Sequence, residues 1–168
     1  ADPSRGDAVA IVEKIAAAED RGLTALNFVY DTLADAALGR YGFRAAHYRA
    51  ARQLEKLRAY GDALRHAVLA FEAVPSIGAS YQMLLRLAVK AEDENAAMNI
   101  LFAVASSHPI EAQIAWLVRA AEVAKRSTAS AELRIELLLK ALALRPRVEI
   151  IEALEEAATP LDEANLTR

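Results

Sequence analysis

Cysteine is absent from this chain of 168 residues, which excludes disulfides, thiol nucleophiles and thiolate metal sites. Glycine (6) and proline (5) are sparse, so few breaks interrupt the chain. No stretch alternates apolar and polar residues with period two, which argues against strands. No apolar run reaches the roughly 18 residues that a membrane-spanning helix needs, and no signal-peptide pattern is present. Neither sign of charge dominates. Lys and Arg number 20 against 23 Asp and Glu, for a formal charge of −3, so no global field draws the chain to nucleic acid or anionic lipid. A Gly-rich phosphate loop, a GxSxG motif and an HExxH motif are all missing. An enzymatic role is therefore not expected, and nothing in the residue pattern implies a cofactor. The first residues, Ala-Asp-Pro-Ser, suit an excised domain or a mature secreted form. The expected compartment is the cytoplasm, or the periplasm if Ala1 is a mature N-terminus.

What the chain does have is helical periodicity. Apolar residues make up 55%, much of it alanine, the strongest helix former and the one that lets helices approach closely. The pattern predicts helices over 7–20, 24–38, 42–59, 62–73, 77–91, 95–107, 110–126, 130–144 and 147–158. Turn chemistry separates them at Arg21-Gly22, Gly39, Tyr60-Gly61-Asp62, Pro75-Ser76, His108-Pro109, Ser127 to Ser130 and Arg145-Pro146. Gly22 and Gly39 suit helix C-terminal caps, and the prolines suit junctions between helices. One domain over 1–158 with a flexible tail from 159 to 168 is the expected layout.

The helix pairs repeat. Pro75 and Pro109 lie 34 residues apart, as do Ala63, Ala97 and Ala131, each near the start of a second helix. The first helices carry matching apolar stripes. These are Phe43, His47, Ala50, Ala51 and Leu54, then Ile77, Tyr81, Leu84, Leu85 and Ala88, then Ile110, Ile114, Leu117, Val118 and Ala121. Such spacing marks one face of a helix, which a single hairpin cannot bury without a stacked neighbour.

This period, the small residue early in the second helix and the closing proline resemble the tetratricopeptide repeat family. Tyr81 and Leu84 match its aromatic-x-x-Leu signature, and Ala51 its small eighth position. His47 stands where the family has an aromatic, and Leu85 where it has a small residue. The resemblance covers residues 42–146 best and 7–41 loosely. It implies an all-α, right-handed α-solenoid of about four stacked antiparallel helix pairs. The helix at 147–158 would cap the stack, with Glu149, Glu152, Glu155 and Glu156 solvating its end. A related α-solenoid or an irregular helical bundle is the alternative.

Candidate site residues are cationic. Under the repeat alignment Arg52, Arg86 and Arg119 share one position, and Lys56 and Lys90 coincide a turn later. A turn earlier stand Tyr48 and Arg49, then Gln82 and Met83, then Trp116. In tetratricopeptide proteins the equivalent positions line a concave peptide groove. Helices packed about 8–10 Å apart would space three arginine rungs over about 20 Å, the span of an extended hexapeptide. Arginine forks suit acidic side chains or a C-terminal carboxylate, and Trp116 and Tyr48 would add rigid contact area. The expected function is thus a non-catalytic scaffold that binds an acidic or extended segment of another protein. The family's Lys/Asn carboxylate clamp has Arg52 and Arg86 at its Asn positions, so no chaperone-tail partner carries over. Self-association as part of a larger protein is the alternative, suggested by Val9, Ile11, Val12 and Ile15. Nucleic-acid binding through arginines and aromatics ranks third, given the acidic total. His47 reads as a packing residue, and His66 and His108 as surface or turn residues. The carboxylates at Glu19-Asp20, Asp31 with Asp35, and Glu92 to Glu94 read as solvated charge.

Overall fold

A computed structural model describes residues 10, 11, 13, 14, 22–125 and 131–166, with side chains placed as far as Thr159. All regular structure among them is α-helical. The helices are α1 (Gly22–Asp35), α2 (Gly39–Lys56), α3 (Tyr60–Ala73), α4 (Ala79–Lys90), α5 (Glu94–Ser106), α6 (Ile110–Lys125), α7 (Ala131–Leu144) and α8 (Val148–Leu166). Residues 10, 11, 13 and 14 are also helical. The rest of the helix expected over 7–20 and the turn at Ser127–Ser130 involve positions outside the described residues. Gly22, expected as a helix C-terminal cap, is instead the buried first residue of α1. The chain forms two compact units, Ala1–Ser76 and Ile77–Arg168.

The ends of α2 and α4 follow one rule. After α2, the Arg58 N–H donates to the Glu55 carbonyl (3.0 Å) and the Ala59 N–H to the Leu54 carbonyl (3.0 Å). After α4, Glu92 donates to Val89 (3.2 Å) and Asp93 to Ala88 (2.9 Å). Every partner is displaced by 34 positions. Each set is a Schellman termination, with a residue in the left-handed region closing the helix. That residue is Arg58 (φ 60°) in one turn and Glu92 (φ 56°) in the other. Neither is glycine, so α2 stops at Lys56, three residues before the expected end. Gly39 (φ 72°) is also left-handed, but it opens α2 instead of closing α1, which already ends at Asp35. Asp93 then caps α5 by accepting the Ala96 N–H (3.1 Å).

Apolar stripes supply the packing. In the first unit α2 lies against both α1 and α3. Leu26 and Tyr30 of α1, Ala50, Ala51 and Leu54 of α2, and Ala63, Ala67, Ala70 and Phe71 of α3 are fully buried. In the second unit successive helices pack in order, and α4 also touches α6, as α5 touches α7. The buried Tyr81 hydroxyl donates to the Ala120 carbonyl (2.8 Å), fastening α4 to α6. Ala63 and Ala97 are wholly buried at the fourth positions of α3 and α5. Ala131 is only half-buried, because it opens α7 instead of sitting one turn inside it. Ile110, counted in the third stripe, is 54% exposed at the first residue of α6, while Ile114, Leu117 and Ala121 are buried as expected.

Helix α8 runs past residue 158 to Leu166. Its Glu156 does not simply solvate an end. It accepts from the nearly buried Arg134 (3.0 Å) and pairs with Lys125, joining α8 to α7 and α6. Glu111 on α6 likewise meets Arg145 and Arg147 at the α7–α8 turn.

Two outcomes follow from this geometry. Arg58→Gly and Glu92→Gly should each raise unfolding stability by about 0.5–1 kcal/mol, since both side chains are exposed and strained backbone favours glycine. Ala97→Leu should cost about 1–3 kcal/mol by overpacking, and Ala131→Leu clearly less. Denaturant midpoints of the four variants check both.

Candidate functional site

Seven of the expected groove residues, Arg49, Arg52, Lys56, Gln82, Arg86, Lys90 and Arg119, lie on exposed helix surface, and one helix gathers four of the expected set. Along α2, Arg44, Tyr48, Arg52 and Lys56 recur every fourth residue, beside a second row of Tyr41, Ala45, Arg49 and Gln53. Residues four apart form a ridge along a helix. The two ridges border a surface depression of about 410 Å³ lined by these eight residues. Four cations and two tyrosines lie there, and the described lining contains no carboxylate. Arg52 and Lys56 are exposed, and Tyr48 is half-buried.

Arg49 is held from one side. Its guanidinium donates to Glu13 Oε1 through Nη2 (3.0 Å) and Nε (3.3 Å). The buried Tyr30 hydroxyl donates to the same oxygen. Burial works to raise the Glu13 carboxyl, but hydrogen bonds from Tyr30, Arg49 and Gln53 outweigh it and hold the group below its ordinary value. Burial, together with the Glu13 charge, pushes the Tyr30 phenol well up. This Tyr30–Glu13–Arg49 chain fixes the orientation of one rung of the basic face.

The remaining expected residues belong to the second unit. Gln82, Arg86 and Lys90 are exposed on α4, and Arg119 is exposed on α6, the helix that α4 touches. Arg119 borders a different depression, with Glu122, Glu149 and Arg147 of mixed sign above Ile114, Val118 and Ile150. Trp116 is half-buried. Met83, expected beside Gln82 in the groove, is instead 1% exposed, because it falls on the core side of α4.

A second constellation was missed in the sequence. His66 is not a surface residue: it is fully buried in α3, on the same stripe as Ala63, Ala67 and Ala70. His47, also buried, faces it from α2 with the two Nδ1 atoms 2.7 Å apart. The rings tilt by 38° with centroids 4.9 Å apart, and Phe43 packs edge-on against His47 at 4.4 Å. Asp31 of α1 stands at the mouth, its Oδ1 3.9 Å from His66 Nδ1. Donor atoms of Asp31, His47 and His66 all lie within 4.8 Å of one another, so these three could hold a metal. The helical stripe i, i+3, i+4 contained the signal for His66, but the meeting of positions 47 and 66 depends on how α3 returns against α2.

Hydrogen positions in this cluster are constrained. Two nitrogens at 2.7 Å accommodate one hydrogen between them. His66 Nε2 lies 2.9 Å from Asn27 Oδ1 and 2.9 Å from Arg65 Nη2. An N–H on Nε2 suits Asn27, whereas a lone pair suits Arg65. Arg65 also grips Asp31 with both Nη atoms (3.3 and 3.1 Å). Burial, then the positive Arg65 and His47, push His66 down to about 4, against the opposing charges of Asp31 and Asp62. Burial lowers His47 too, aided by Arg65 and opposed by Asp31 and Asp35. His108 is exposed at the end of α5, with Nδ1 2.9 Å from the Val104 carbonyl.

Comparison with protein-family models, with curated proteins and with solved structures finds no match. Among the described residues no helix is long and apolar enough to cross a membrane.

The histidine pair predicts a pH dependence. Because the folded value of His66 lies below the ordinary 6.5, the unfolded chain binds its proton first on acidification. The stability due to a neutral His66 is therefore present above pH 6.5 and lost as pH falls towards 4, by on the order of 3 kcal/mol. Urea unfolding in chelator across that range should show the loss, and His66→Gln should flatten it.

Proposed function

We propose that this chain is a helical-repeat interaction module that binds an extended acidic segment of another protein along the basic face of α2. The observation that carries the reading is the depression lined by Tyr41, Arg44, Tyr48, Arg49, Arg52 and Lys56, whose described lining holds four cations and no carboxylate, with Glu13 reaching Arg49 from its border. From residue 44 to 56 a helix rises about 18 Å, the length of five or six extended residues. Arginines offer planar forks for carboxylates, and the tyrosines offer contact area at low entropic cost. Arg49, already oriented by Glu13, is the preorganised member of the set.

The solenoid reading supports the same function. Shared 34-residue turn geometry and the contacts of α4 with α6 and α5 with α7 are what stacked hairpins of the tetratricopeptide type would have. On that reading the second unit carries its own cationic positions at Arg86, Lys90 and Arg119, with Gln82 and Trp116 at the neighbouring repeat positions. The function needs no cofactor or catalytic group. Self-association is the second reading, favoured by the exposed Phe28 (72%), Leu38 (98%) and Tyr41 (64%) of the first unit. Net acidity weighs against nucleic acid.

A fluorescent Glu/Asp hexapeptide, followed by anisotropy, tests the groove. Binding should weaken with salt, and the double variant Arg44→Glu/Arg52→Glu should weaken it by at least ten-fold with helicity intact. Equal binding by wild type and variant contradicts the groove.

A further inference from the structure

We propose that Asp31, His47 and His66 form a binding site for one divalent transition-metal ion of the nitrogen-preferring kind, such as Zn²⁺ or Co²⁺. The site is separate from the basic face of α2, because His47 lies on the buried side of that helix. Its three donors come from three helices, so the hairpin packing alone assembles it.

The donor chemistry selects the ion. Two imidazole nitrogens and one carboxylate oxygen suit Zn²⁺ or Co²⁺, whereas Mg²⁺ and Ca²⁺ need mostly oxygen ligands. Both histidines are almost wholly buried, at 2% and 0% exposure, and their lone-pair-bearing edges point at one another. Burial also keeps the imidazoles neutral, the form a metal requires. Asp31 is 41% exposed, which gives the ion an entry path and leaves room for a water as fourth ligand. The facing nitrogens stand 2.7 Å apart. A tetrahedral ion with bonds of about 2.05 Å would hold them about 3.4 Å apart, so the rings need to part by well under one ångström.

An outer partner is already in place. Ligation through Nδ1 requires the hydrogen of His66 on Nε2, and Asn27 Oδ1 lies 2.9 Å from that atom to receive it. Arg65 is the opposing element. Its Nη2 faces the same Nε2 and also holds Asp31 Oδ2, so ligation turns the guanidinium away from the ring. Arg65 is 44% exposed, so it has room to swing outward once Asp31 turns to the metal and releases it. Metal thus takes the place of the single hydrogen shared by the two Nδ1 atoms, and that hydrogen passes to Nε2 of the ring that carried it, leaving both imidazoles neutral.

The test uses the full chain, stripped with chelator and titrated with Co²⁺ and then Zn²⁺. The expected result is one Co²⁺ per chain, with the visible absorption of a tetrahedral nitrogen-ligated ion, displaced by Zn²⁺. Asp31→Asn is half-exposed and should stay folded while weakening binding by at least ten-fold. His47→Gln should remove the absorption, and His108→Gln should leave it unchanged. Failure to bind Co²⁺ at one per chain, or binding that survives both Asp31→Asn and His47→Gln, overturns the proposal. Loss of the absorption with His108→Gln alone would do the same.

Discussion

The backbone turn at Leu57–Ala59 governs the first unit, because it decides where on α2 the returning helix α3 lands. Closing the Leu54 carbonyl onto the Ala59 N–H ends α2 at Lys56 and aims the chain back. Ala63 then meets α2 without a side chain large enough to hold it off. The same bonds recur around Glu92, and Ala97 takes the place of Ala63. Small residues at crossings and left-handed residues at turns are therefore one device. The turn sets the approach, and alanine permits its closeness.

That approach gives α2 two chemically different sides. Ala50, Ala51 and Leu54 bury one side against α1 and α3, and His47 is carried inward with them. Its partner His66 sits on the matching stripe of α3, so two imidazoles meet where packing alone would prefer two aliphatic groups. Buried polar atoms are tolerated only when each finds a partner, and here each supplies the other. The opposite side of α2 keeps Arg44, Arg52 and Lys56 towards solvent. Glu13 and Tyr30 reach its border and hold Arg49. A single helix thus joins a buried nitrogen pair to a cationic surface.

Helix content was legible because alanine-rich stripes with period 3.6 leave little choice of structure. The stripe of Tyr81, Leu84, Leu85 and Ala88 is buried as its spacing implied. Helix ends were less legible. Arg58 and Glu92 adopt left-handed backbone that residue type alone would assign to glycine, and Gly39 takes that conformation at a helix start. Of the expected groove, the surface positions of Arg52, Lys56, Arg86, Lys90 and Arg119 follow from periodicity. Met83 was misread because Gln82, its neighbour, is exposed and adjacent residues lie a hundred degrees apart on a helix. The histidine pair was hidden for another reason. Positions 47 and 66 are 19 apart, and only the path of the turn between them brings their rings together. Glu156 shows the same limit, since its bridge to Lys125 and Arg134 joins three helices.

The most direct measurement is NMR of the labelled chain at the two turns. If the 34-residue hairpin rule is real, backbone shifts and φ-sensitive couplings will report left-handed geometry at both Arg58 and Glu92. Contacts from Leu54 to Ala59 and from Ala88 to Asp93 will accompany them. Helical or extended geometry at either residue would contradict the common turn, and with it the repeated packing on which both surfaces of α2 rest.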